Sequence, residues 1–121
     1  MVKHEEMKKC RVMKVESEES WNFFITRGCP IAVHFTASWC MPSVAMNCSF
    51  EELALSYQDI LFLTVDVDEV KGVAAKMEVK AMPTFVLMSK GCVVDKVVGA
   101  NPDEINKRLA QFIYSIRSSK T

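Results

Sequence analysis

The chain has 121 residues and a mass of 13.7 kDa, within the size of one domain. Half of its residues (50%) are hydrophobic, enough to bury roughly two-thirds of the surface an unfolded chain of this length exposes. Lys and Arg number 15, as do Asp and Glu, so no net field draws nucleic acid or an anionic membrane, and neither partner is expected.

The opening "MVKHEEMKKC" is charged and has no apolar core of a secretory signal. Val2 stands where N-myristoylation requires Gly. No apolar run approaches the ~20 residues that span a bilayer. Five cysteines, Cys10, Cys29, Cys40, Cys48 and Cys92, form an odd set with no C-x-x-C pair. That pattern is neither a disulfide framework nor a zinc site, so no metal is expected and the setting reads as reducing and cytoplasmic. The four glycines form neither G-x-G-x-x-G nor a P-loop, and no cofactor is expected.

In chain order, residues 1–11 read as a flexible extension, 12–117 as the domain and 118–121 as a tail. "CRVMKVES" alternates as a strand does. Ser17 with Glu18 and Glu19 reads as an N-cap and an acidic first turn, opening a short amphipathic helix that Gly28 stops. "IAVHF" is a run of the kind that forms a buried central strand. From Pro42 one helix is predicted to about Tyr57. "ILFLTVDV" reads as a second buried strand, with a helix following near 69–77. "TFVLM" and "CVVDKVVG" flank the turn "SKG" as a hairpin, and "NPDEINKRLAQFIYSIR" is a capped C-terminal helix. The order βαβαβαββα builds an α/β fold: a mixed central sheet with helices on both faces.

"FTASWC-x-P", "VDVDE", "AMPTF" and "DKVVGA", in this order and at these spacings, resemble thioredoxin, most nearly the plant cytosolic h-type. The likeness runs over roughly residues 12 to 115. Ser43, where a second active-site cysteine would stand, makes the chain similar to the monocysteinic C-x-x-S subgroup. The resemblance implies the thioredoxin fold and chemistry through mixed disulfides.

The residues support that chemistry directly. Cys40 precedes a helix with a first-turn proline, Pro42, so its sulfur faces unpaired N–H groups and the positive end of the helix dipole. Such a site favours the thiolate, which attacks a disulfide and forms a mixed disulfide with the client. A second cysteine would resolve that intermediate; Ser43 forms no S–S bond. Cys48 lies too far along the same helix to bridge to Cys40. Cys29 sits at the opposite end of the strand leading to the site, and Cys92 beyond the hairpin. All three read as small buried hydrophobes, and Cys10 stays open as a resolving thiol.

The flanking residues carry two readings each. Trp39 is either a recognition platform beside the sulfur, as the resemblance implies, or a structural aromatic. The resemblance implies a cis Met82–Pro83 peptide bordering the thiol and pairing with client backbone; otherwise Pro83 is a strand-start proline. The eight methionines read mostly as core filler, but Met41 replaces the family's usual Gly and adds apolar contact surface. His34 replaces a buried Asp that helps deprotonate the family's resolving cysteine. On a buried strand desolvation opposes the imidazolium, whereas a neighbouring thiolate favours it, leaving His34 either a packing residue or a pKa modulator for Cys40.

Two functions follow. The first is an enzyme: a monothiol thiol–disulfide exchanger, isomerase-like with weak reductase activity, acting on disulfide- or thiol-containing clients and cleared by glutathione or another external thiol. The second is a non-catalytic scaffold that holds such clients. A monomer is expected, with a covalent dimer through Cys40 or Cys10 available on oxidation.

Overall fold

The computed structural model describes residues 11–119; of the expected N-terminal extension, residues 1–10, Cys10 among them, lie outside the described residues. Five strands, β1 (Val12–Val15), β2 (Ile31–Thr36), β3 (Leu61–Asp66), β4 (Thr84–Ser89) and β5 (Cys92–Val98), form one sheet in the order β1-β3-β2-β4-β5. β1, β3 and β2 run parallel, and β4 and β5 are antiparallel additions on the other side of β2. Five helices cover it: α1 (Glu18–Ile25), α2 (Met41–Ala45), α3 (Asn47–Ser56), α4 (Lys71–Lys76) and α5 (Pro102–Ser119).

Period-two alternation along the central strands divides the core between the two faces. Ala32, Phe62, Phe85 and Leu87 face the helices α3 and α5, meeting Phe50, Ile105, Leu109 and Phe112. Val33, Phe35, Leu63 and Val86 face the other way, toward Trp21 of α1 and Val73 of α4. β2 is buried from Ile31 to Phe35, which is why its sequence is almost uninterrupted in apolar residues. The expected mixed sheet with helices on both faces is present.

Local signals end the elements where the chemistry requires. Ser17 Oγ accepts from the Ser20 N–H at 3.1 Å and starts α1. Asn101 Oδ1 accepts from the N–H groups of Asp103 (3.0 Å) and Glu104 (3.1 Å) and starts α5. The β4–β5 hairpin turns through Lys90 (φ 54°) and Gly91 (φ 78°), both left-handed as a two-residue turn demands. Arg108 Nη1 donates to both carboxylate oxygens of Asp95 (2.6 and 2.8 Å), tying α5 to β5.

Some expectations change. The single helix from Pro42 to Tyr57 is two, parted at Met46, whose N–H bonds back to the Ser43 carbonyl (3.1 Å) while its side chain enters the core. Met41, not Pro42, is the first residue of α2. The helix near 69–77 is confined to Lys71–Lys76, and the last helix continues to Ser119. Cys48 and Cys92 are exposed rather than buried. Phe50 and Ala54 take the inward positions of α3, leaving Cys48 outside, and Cys92 opens an edge strand whose first three residues face solvent. Cys29 is half-buried, packed beside the α1-side core. Of the methionines, Met46 and Met88 are core residues, while Met13 and Met41 are exposed.

Candidate active site

β2 delivers the chain from the middle of the sheet to its C-terminal edge, and the segment 37–40 turns it into α2. Cys40 takes the N-cap position in an extended conformation (φ −99°, ψ 100°), and its carbonyl accepts from the N–H groups of Ser43 (3.1 Å) and Val44 (3.0 Å). Its side chain makes no capping bond. Instead the half-buried thiol reaches across to another segment, donating to the carbonyl of Met82 at 3.5 Å. The Met82–Pro83 peptide is cis, and Pro83 is buried at the foot of β4. Cys40 and the Met82–Pro83 pair, far apart in the chain, thus form one rim.

Trp39 and Met41, on either side of the thiol, are 62% and 67% exposed, an unusual outlay of apolar surface. The Trp39 indole N–H donates to Asp68 Oδ2 at 2.7 Å. The loop carrying Asp68 is itself fixed: Asp66 Oδ1 accepts from the N–H groups of Asp68 (2.8 Å) and Glu69 (3.3 Å). Asp68 is a site residue that the sequence reading missed, although it stands inside the "VDVDE" stretch that carries part of the resemblance.

Beneath the thiol the arrangement is polar and closed. Ser43 is fully buried, donating its hydroxyl proton to Thr36 Oγ1 at 2.6 Å, with His34 Nε2 3.4 Å from the same oxygen. His34 Nδ1 is buried with no hydrogen-bond partner among the described residues. His34 stacks on Phe85 (centroids 4.6 Å apart, 18° between planes) and leans on Phe50. Burial pushes its pKa down from 6.5 to about 4, so the ring is neutral near pH 7 and its polar neighbour is Ser43. Thr36 also escaped the sequence reading; alternation from His34 would have put it on the same face of β2.

Among the described residues, no group of His, Cys, Asp and Glu is arranged to hold a metal ion, and no helix is long and apolar enough to cross a membrane.

A sheet of this order, with a half-buried cysteine at a helix start facing a cis-proline loop, defines a thiol–disulfide exchange scaffold. The comparisons agree. The thioredoxin family model matches residues 12–111. The chain is 60% identical over 111 residues to thioredoxin-like protein CXXS1 of Arabidopsis thaliana, covering 88% of this chain and 94% of that one. It is 54% identical over 101 residues to the Oryza sativa subsp. japonica protein of the same name, covering 80% and 76%. A poplar thioredoxin h, PtTrxh4, superposes with a TM-score of 0.81 at 33% identity, covering 85% and 96%. The chain belongs to the thioredoxin family, whose members are thiol–disulfide oxidoreductases acting on thiol- or disulfide-containing proteins.

Proposed function

We propose that the protein is a monothiol member of this family: Cys40 exchanges disulfides through a mixed disulfide, rearranging client disulfides and reducing them poorly. The observation that carries this reading is Ser43, buried and bonded to Thr36 at the position a resolving thiol would need. Isomerisation requires attack and return with no net electrons, so one thiol suffices. Net reduction requires a second sulfur, which we assign to glutathione or another external thiol. Trp39, Met41, Met82 and Pro83 make up the client-contacting rim in this reading. An odd cysteine count, the free thiols of Cys29, Cys40, Cys48 and Cys92 and the likeness to plant h-type relatives favour a cytoplasmic location.

The wild type is expected to rearrange scrambled disulfides in a glutathione buffer and to reduce insulin poorly with thioredoxin reductase as electron source. Cys40→Ser should abolish the first activity, and Ser43→Cys should raise the second. A wild type that reduces insulin as well as Ser43→Cys would overturn the proposal. The second reading, a holding scaffold, is favoured by the exposed Trp39 and Met41; client binding that survives Cys40→Ser, without isomerase activity in the wild type, would select it.

A further inference from the structure

The segment 81–83, whose Met82 carbonyl accepts from the Cys40 thiol at 3.5 Å, is braced at both ends. Beyond it, the Pro83 carbonyl accepts from the Gly99 N–H at 2.9 Å. Thr84 turns its hydroxyl back across the segment and donates to the Ala81 carbonyl at 2.6 Å, bracketing Met82 and Pro83. Thr84 is a firm base for that bond. Its backbone pairs with Phe35 of β2 on one side and Val98 of β5 on the other, and the residue is only 2% exposed. Ala81, by contrast, is exposed, and without the hydroxyl its carbonyl is free to turn to water. The Ala81 carbonyl and the Met82 N–H belong to one planar peptide, so fixing the first aims the second. The Met82 N–H has no backbone acceptor among the described residues, which leaves it available to a partner from outside the chain.

We infer that Thr84 is a positioning residue for disulfide exchange: through Ala81 it aims the Met82 N–H at the backbone of a client docked beside Cys40. The inference rests on the reading of Cys40 as the exchanging thiol and of Met82 and Pro83 as part of the client-contacting rim. Thr84 acts through the segment 81–83 and not on the sulfur. A segment ordered in advance spares association the cost of ordering it, so a polypeptide disulfide gains from the brace. A small disulfide without peptide groups gains nothing. In both reactions the Cys40 thiolate forms one S–S bond while the other sulfur of the attacked disulfide leaves as a thiolate.

The test compares Thr84→Ser with Thr84→Ala, which both lose the γ-methyl and differ only in the hydroxyl. For each full chain, the rate of mixed-disulfide formation at Cys40 is measured with a disulfide-linked peptide and with hydroxyethyl disulfide. The readout is the ratio of the two rates on one sample, in which any loss of folded protein cancels. Wild type and Thr84→Ser should give the same ratio. Thr84→Ala should lower it about three- to tenfold, the net worth of one hydrogen bond. Should Thr84→Ala fail to fold, Thr84→Val, which keeps a β-branched side chain, takes its place on the same criteria. Both rates falling together, with the ratio unchanged, would overturn the inference and leave Thr84 a packing residue. A ratio lowered equally in Thr84→Ser would overturn it too. A wild type in which Cys40 forms neither adduct would instead remove the exchange reading itself, and the inference with it.

Discussion

His34 is the residue at which sequence and environment pull hardest against each other. An imidazole ordinarily charges near pH 6.5, yet this one is enclosed by Phe85, Phe50 and Ser43 and pushed by burial to about 4. The folded state therefore declines a proton that the unfolded state accepts. Stability from this residue is fully present above pH 6.5 and is lost as pH falls toward the folded value, levelling off below it. The gap between 6.5 and about 4 converts to about 3 kcal/mol at most. Urea unfolding followed from about pH 7 to about pH 4.5 should show that loss. In His34→Leu, whose core is free of a titrating group, the slope should shrink by a corresponding amount, the carboxylates contributing equally to both proteins. Parallel pH profiles for the two would sink the account. The sequence left open whether burial or a neighbouring thiolate governs this ring, because neither the stacking on Phe85 nor the bond to Ser43 is local in sequence.

At the scale of elements, most of the structure was legible, and for stated reasons. Buried central strands announced themselves as apolar runs, and two helices announced themselves through Ser17 and Asn101, whose side chains cap them. What failed to show was exposure and interruption. Nothing in "VAMNCSF" marks the break at Met46, because Met is a good helix former. Cys48 and Cys92 looked like core residues by type, but the helix face and the edge strand they occupy are defined by tertiary neighbours. The cap on α5 offers a clean check, since this helix supplies Ile105, Leu109, Phe112 and Ile113 to the core. Asn101→Ala removes the acceptor for two backbone N–H groups, and the expected cost is about 1 kcal/mol. In a domain of this size that is a fall in Tm of about 4 °C by calorimetry. An unchanged Tm would mean that Pro102 and the acidic first turn (Asp103, Glu104) suffice to start the helix.

For the molecule as a whole, the site was legible only where it is contiguous. Cys40, Met41, Pro42 and Ser43 lie side by side, whereas Met82 and Asp68 reach Cys40 and Trp39 from distant segments of the chain, and Thr36 meets Ser43 from the end of β2. Family resemblance supplied Pro83; Thr36 and Asp68 stand inside stretches that carry the resemblance, but the bonds that make them part of the site, to Ser43 and Trp39, are tertiary. The same topology decides what happens to a mixed disulfide. Cys92 pairs with Ser89, five positions along β4 from Thr84, the neighbour of Pro83, or about 17 Å at strand rise. Cys29 precedes β2 at the end remote from Cys40, and Cys48 is on the exposed side of α3. A bridge demands Cα atoms within about 7 Å, so Cys29 and Cys92 cannot reach the thiol while the sheet holds, and Cys48, eight residues on through α2 and α3, lies roughly 12 Å away at the helical rise per residue. Hence a Cys40 adduct formed with a disulfide peptide should persist until an external thiol is added, when it should be released at a rate proportional to that thiol's concentration. Ser43→Cys should instead shed the peptide spontaneously and leave Cys40 in an internal disulfide with the introduced sulfur, provided that sulfur is accepted beside Thr36. Peptide mapping by mass spectrometry after quenching distinguishes the two courses. Spontaneous release from the wild type, with Cys40 recovered in an internal disulfide, would show that another cysteine resolves it and would end the monothiol assignment.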